Sequence, residues 1–231
     1  MAPKVLVVLT SVDRIEAADK PTGWYLTELS HPYDVLARAG VEIVTASPKG
    51  GVAPLEPASV AMSKDDASAQ AFLRERRPVW EETRRLSELR GRAGEFAALF
   101  YPGGHGPMFD LADDADSIAV IEEFVARGRP VAAVCHGPVA FLNAKRPGGA
   151  PLLAGREATA FSNVEEDVIG MSRFMPFLLE DRIRAVGATF RKAGAPWGEL
   201  VVVQDGGKLI TGQNPASAKG VGEAILKAIG A

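Results

Sequence analysis

The sequence predicts an α/β fold with a mainly parallel central sheet covered by helices on both faces. Three observations point there: short apolar runs rich in β-branched residues, helical patterns between them, and glycines just past those helices. Residues 4–9 (KVLVVL) form the first run; they lack polar alternation, as a strand buried on both faces should. Residues 32–39 read as a helix ending at Gly40, where glycine suits the position past a helix C-terminus. Residues 42–45 (EIVT), 97–101 (AALFY) and 130–134 (PVAAV) supply further strands, and 117–127 supply a helix ending at Gly128. Near the C-terminus, residues 200–203 and 208–211 flank Gln204-Asp205-Gly206-Gly207, a strong hairpin signal. Asn214 and Pro215 then offer an N-cap and a first-turn proline for a closing helix through Ile229.

One stretch interrupts this order. Residues 48–92 begin with a Gly/Pro-rich loop and continue as two charged helical segments split by Pro78, a helical insertion bordering a pocket. Its arginines (Arg74, Arg76, Arg77, Arg84, Arg85, Arg90, Arg92) are interleaved with Glu75, Glu81, Glu82 and Glu88. That mixture marks a solvated face rather than an anion-binding one.

Composition sets the outer bounds. The 231 residues are 47% hydrophobic and 24% charged, which fits one globular domain over 1–231. With 26 Lys+Arg against 29 Asp+Glu the net charge is −3, so no basic field advertises nucleic acid or an anionic membrane. The apolar run 4–9 is followed by Asp13, Arg14 and Glu16, too soon for an export signal or a membrane span. The expected setting is cytoplasmic. Cys135 is the sole cysteine, so neither an internal disulfide nor a cysteine-rich zinc module can form. Three histidines (His31, His105, His136) leave little for a histidine-built metal cage, and no metal is expected.

The chemistry concentrates where strand 130–134 runs into Cys135-His136-Gly137 and an apolar helix. In this layout a tight strand-to-helix turn pushes a reactive side chain clear of the backbone. A thiol at a helix N-terminus is expected to have a lowered pKa, with backbone N–H groups nearby to hold an oxyanion. The competing reading is a buried packing cysteine, but packing gives no reason for His-Gly-Pro to follow it at the mouth of a parallel sheet. His136 can hold or move a proton at neutral pH if the turn folds the two neighbours together, and a carboxylate must then orient it. Papain-like enzymes and glutamine amidotransferases place their histidine well downstream of the cysteine. No histidine follows His136.

The loop Pro102-Gly103-Gly104-His105-Gly106 follows another strand, where glycines let backbone approach a ligand closely. Glu28 lies past the first strand's long loop in an apolar setting that would raise a carboxyl pKa by desolvation. Glu165 and Glu166 are both candidates for the orienting carboxylate; a charged helix start would explain them equally well.

Taken together these segments resemble the PfpI-like branch of the class I glutamine amidotransferase-like superfamily, and most closely its glyoxalase III and stress-chaperone group. The resemblance runs from Thr22-Gly23 through Glu28 and Pro32, over Tyr101 to Gly106, Ala133 to Gly137 and Phe161 to Glu166. It ends with Asp205-Gly206 through Ser217. It implies a flavodoxin-like three-layer sandwich, a homodimer and no cofactor. By matching, Cys135 takes the nucleophile's place, His136 its neighbour's, Glu166 the third triad position and Glu28 that of the acid beside the thiol. Gly103, Gly104 and His105, with the backbone of His136, fall at the substrate- and oxyanion-binding loops.

The activity this implies is conversion of a small dicarbonyl, methylglyoxal, with water to lactate through a cysteine hemithioacetal, with Glu28 or His136 as the base. Two alternatives stand beside it. One is a cysteine hydrolase or hydratase acting on another small electrophile, such as an amide, peptide or isonitrile. The other is a holdase chaperone or oxidative-stress sensor with Cys135 as a redox-sensitive thiol. Apolar residues 171–179 (MSRFMPFLL) would serve as its client or dimer surface, or else as core or pocket lining.

Overall fold

Apolar residues on both faces of a strand need a core on each side, and this chain builds two. A computed structural model describes residues 2–231. The strands are β1 (Lys4–Val8), β2 (Arg14–Ile15), β3 (Lys20–Pro21), β4 (Glu42–Ser47), β5 (Arg84–Arg85), β6 (Ala98–Tyr101), β7 (Val131–Val134), β8 (Glu157–Ala158), β9 (Thr189–Phe190), β10 (Val201–Gln204) and β11 (Leu209–Gly212). The helices are α1 (Leu26–Arg38), α2 (Pro57–Met62), α3 (Ala67–Glu75), α4 (Pro78–Glu81), α5 (Pro107–Asp110), α6 (Ala115–Ala126), α7 (Asn163–Val168), α8 (Leu179–Ala185) and α9 (Ala218–Ile229).

Seven strands make the central sheet in the order β10-β11-β7-β6-β1-β4-β5, parallel throughout except for the β10–β11 hairpin. Successive side chains point to opposite faces. Val5, Val7, Phe100, Ala132 and Val134 therefore pack with α1, α3 and α9 through Leu29, Phe72 and Ile225. Leu6, Val8, Leu99, Tyr101 and Val131 pack on the other side with α6 and α8 through Val120, Phe124 and Ile183. This is the three-layer sandwich expected, with its C-terminal hairpin. Among the described residues, no helix is long and apolar enough to cross a membrane.

Three local expectations are corrected. The first helix starts at Leu26, not at 32, and Pro32 sits inside it. Its early N–H group at Leu26 is taken up by Ser59 Oγ (3.0 Å), a cap supplied from the distant insertion rather than by the preceding chain. The 48–92 segment is not wholly helical, because Arg84–Arg85 add β5 to the sheet edge beside β4. Asn214 makes no side-chain cap for the short helical turn after it. Its amide instead donates to Glu165 Oε1 and to the Gly198 carbonyl, both at 2.8 Å.

The apolar segment 171–179 is anchored in the interior at three positions, with Arg173 and Pro176 exposed. Met171, Met175 and Leu179 are buried in the core beside α8, with Phe174 and Phe177 packed against them.

Candidate active site

The end of β7 carries the reactive group. Cys135 follows Val134 with φ +60°, a left-handed backbone that a side chain rarely adopts and that turns the thiol off the strand direction. The turn is pinned on both sides: the Cys135 N–H donates to Gly212 O of β11 (3.0 Å), and its carbonyl accepts from Phe161 N (2.9 Å). Gly137 must be glycine here, since a Cβ would lie 2.2 Å from the Tyr101 carbonyl oxygen. Beyond the turn the chain forms a short 3-10 helix over Gly137–Phe141 rather than the expected apolar helix.

The elbow does fold the neighbours together. Cys135 Sγ lies 3.3 Å from His136 Nδ1. On the other side of the imidazole, His136 Nε2 donates to Glu166 Oε2 at 2.6 Å. Burial alone would raise Glu166, but His136 and His105 hold its carboxyl well below the usual carboxylate range. An ionised carboxylate only accepts, so the Nε2 atoms of both histidines must carry the hydrogens. Burial lowers the His136 pKa against the pull of Glu166. A neutral His136 with its proton on Nε2 presents a bare Nδ1 lone pair to the thiol, which is the disposition of nucleophile, base and orienting carboxylate.

On α7, Glu165 and Glu166 have different partners. Ser162 caps this helix and Glu165 completes a capping box, its Oε2 accepting from Ser162 N at 2.9 Å. Glu165 also accepts from Trp197 N, Gln213 Nε2 and Asn214 Nδ2. Burial would raise it, but these hydrogen bonds, led by that of Ser162, hold its pKa down. Glu166, one position on, points at the histidines. The serine three residues before Glu165 was the sequence signal that assigns the two roles.

Glu28 reaches Cys135 from α1 and is fully buried. Its Oε2 accepts from Gly103 N at 2.7 Å, while Oε1 is buried without a hydrogen-bond partner. Desolvation pushes its pKa up to about 8, against the lowering influence of Cys135 and Gly103. At neutral pH this carboxyl carries a proton that it can offer to the sulfur. Burial also pushes the Cys135 thiol up, and a charged Glu28 pushes it further. This reverses the expected lowering: the helix is short and Cys135 only 3% exposed. Two negative charges cannot both be held here, so carboxyl and thiol titrate as a coupled pair. The Gly104 N–H favours the thiolate form.

The glycine loop divides its work. Gly103 spends its N–H on Glu28 rather than on a ligand, and a Cβ there would lie 2.6 Å from His136 N. Gly104 faces the sulfur and lines the cavity. His105 also lines the cavity, but its Nε2 donates to Glu166 Oε1 (2.8 Å), making it a second histidine on the triad carboxylate. Nothing local in the sequence foretells that partnership, which joins residues 61 apart. The nitrogen and oxygen atoms of His105, His136 and Glu166 lie within 4.8 Å of one another, a spacing that could hold a metal. Each Glu166 oxygen already accepts a histidine N–H, so loading an ion would mean breaking both bonds.

Cys135 and His136 open into a cavity of about 250 Å³. Its walls are mostly apolar, with Ile15, Pro21, Ile169 and Met171 on one side and Ala58 and Met62 of α2 on another. Phe161 stacks on His136 (ring centroids 4.6 Å apart) and Trp197 on Phe161 (5.5 Å), extending the aromatic wall outward.

Comparison with known proteins agrees with this geometry. A glutathione-independent glyoxalase of Saccharomyces cerevisiae is 30% identical over 94% of this chain and 94% of its own. The crystal structure of glyoxalase III from Candida albicans superposes with a TM-score of 0.89 at 28% identity, covering 98% of this chain and 97% of that one. The Rapid Encystment Protein 24 KDa of Francisella tularensis superposes with a TM-score of 0.91 at 32% identity, covering 98% and 99%. A protein/nucleic acid deglycase of Escherichia coli O157:H7 is 28% identical over 87% of this chain and 71% of its own. The DJ-1/PfpI family description matches residues 22–228, which include the whole cysteine elbow and every carboxylate around it. The chain belongs to the DJ-1/PfpI family.

Proposed function

We propose that this chain is a glutathione-independent glyoxalase that converts methylglyoxal and water to lactate, with Cys135 as its nucleophile. The observation that carries the reading is the arrangement around one sulfur: a bare imidazole nitrogen 3.3 Å away and a protonated carboxyl on Glu28. His136 Nδ1 takes the thiol proton, and the thiolate adds to the aldehyde carbon to give a hemithioacetal. Glu28 gives its proton to the oxygen formed there and becomes a carboxylate. That carboxylate then removes the proton from the same carbon while His136 passes the thiol proton to the neighbouring carbonyl oxygen, giving an enediol and a neutral imidazole. Glu28 delivers the proton to the neighbouring carbon and takes the hydroxyl proton from the first, which leaves a lactoyl thioester and restores the Glu28 carboxyl. Water, deprotonated by His136, hydrolyses it and frees the cysteine. Gly104 N–H and the His136 backbone lie beside the oxygen that gains charge. The same reading takes the assembly to be a homodimer.

The test is a lactate assay on purified protein with methylglyoxal and no added cofactor. Cys135→Ala should keep the fold, by circular dichroism and melting temperature, and lower turnover at least ~10⁴-fold. Retention of the wild-type rate in that variant overturns the mechanism.

A second reading is favoured by the size of the cavity. Three waters' share of liquid, ~90 Å³, approximates methylglyoxal, so about 250 Å³ leaves room for a bulkier electrophile on the same thiolate. A substrate panel separates the two: fast turnover of a larger compound beside slow methylglyoxal consumption favours this hydrolase or hydratase reading.

A further inference from the structure

A second cavity, of about 270 Å³, opens at the other end of the same strands. Cys135 sits past the carboxyl end of β7, whereas Arg129 and Lys208 stand just before the first residues of β7 and β11 and line this cleft. Arg146 and Arg156 complete its wall, and Asp205 is the one carboxylate among the lining residues. Four cationic residues and one acid thus line this cleft in a chain whose net charge is −3. The concentration is local, not a reflection of the whole molecule.

The arginines are held in place by main chain. Arg146 donates from Nε to Pro151 O (3.2 Å) and from Nη2 to Ala154 O (3.1 Å). Arg156 donates from Nη1 to Leu152 O and from Nε to Asp205, and Arg129 donates to the carbonyls of Phe96 and Gly94. These bonds fix each guanidinium yet leave donors over. Among the described residues, Arg146 Nη1, Arg156 Nη2 and Lys208 Nζ have no hydrogen-bond or ion-pair partner. Immobilised guanidiniums with spare N–H groups match tetrahedral oxyanions well, because the entropy of ordering them is already spent in folding. The floor between them is apolar, with Leu152 and Leu209 both buried in it.

We propose that this cleft is a binding site for a phosphate group, free or as the monoester of a small molecule whose body rests on the apolar floor. In the insertion, by contrast, Arg77, Arg90 and Arg92 are each paired with a carboxylate. The cleft stands apart from the proposed chemistry and does not depend on it.

Calorimetric titration of the intact protein at low ionic strength, with inorganic phosphate and with adenosine monophosphate, tests the proposal. Saturable binding is expected, weakened at least ~10-fold by Lys208→Glu and retained by Lys208→Arg. Lys208 is exposed and unpaired, so its replacement leaves the fold and methylglyoxal turnover unchanged. Tighter binding of the nucleotide than of phosphate assigns a monoester; equal binding assigns the free anion. Absence of saturable binding for both, or equal affinity in Lys208→Glu, overturns the site.

Discussion

Two glutamates flank the Cys135–His136 pair, and the fold keeps them in opposite protonation states. Glu28 is shut into apolar surroundings with one backbone N–H, and burial holds its proton on up to about pH 8. Glu166 is nearly as enclosed, yet two imidazole N–H groups face its two oxygens and keep it ionised. The same side chain becomes an acid in one place and a fixed counter-charge in the other. What decides is the number of donors each receives, not depth. In the proposed reaction one supplies a proton to the reacting atoms; its counterpart holds the imidazole in the tautomer that can accept one.

The strongest way to break this contrast is Glu166→Gln. The amide no longer enforces Nε2–H on both histidines, and kcat should fall about 10⁴-fold with little change in KM. The variant should also lose an acid-side stability limb. A carboxyl whose folded pKa is depressed contributes stability above its ordinary value near 4.5 and loses it as pH falls. Urea midpoints measured against pH read that limb directly. Turnover within about tenfold of wild type would leave Glu166 a bystander.

Next comes Glu28→Gln, which preserves shape and the acceptor for Gly103 N–H but cannot release a proton. Turnover should drop about 10²–10³-fold, the usual scale for a lost general acid–base group. Its stability signature has the reverse sign. Because the folded pKa is raised, wild-type stability is full below about 4.5 and declines as pH climbs to about 8. The glutamine variant should be flat over that interval. An unchanged alkaline decline means another group titrates there.

The smallest effect sharpens the comparison by moving one residue along α7. Glu165→Gln weakens charge-assisted bonds to Ser162, Trp197, Gln213 and Asn214, costing about 1–3 kcal/mol of stability. Melting temperature should fall while kcat changes less than about tenfold, since Glu166 keeps its partners. A kinetic loss as large as that of Glu166→Gln would erase the division of labour between these neighbours.

Much of this was legible in the sequence. Runs such as KVLVVL and PVAAV are buried on both faces, and Asp205-Gly206 marks the hairpin, because these signals are local. Cys135-His136-Gly137 announced the elbow for the same reason. The start of α1 was hidden because its first N–H is capped by Ser59, a residue 33 positions away. The edge strand Arg84–Arg85 was hidden because its side chains are charged and carry no apolar pattern. The thiol's direction was misjudged because a turn-level argument sees the dipole and not the enclosure of the sulfur, nor Glu28 beside it. The tie between His105 and Glu166 exists only once α7 is laid against the glycine loop.

One wall of the cavity comes from a different part of the chain than its sulfur, imidazole and carboxylates. Ala58 and Met62 belong to α2, whereas the sulfur, imidazole and carboxylates are carried by the end of β7, by α1 and by α7. Selectivity and reactivity are therefore separable in this architecture. Ala58 and Met62 can be exchanged to admit a longer or more polar guest, while Ser59 between them keeps its bond to α1 and the sulfur, imidazole and carboxylates stay in place.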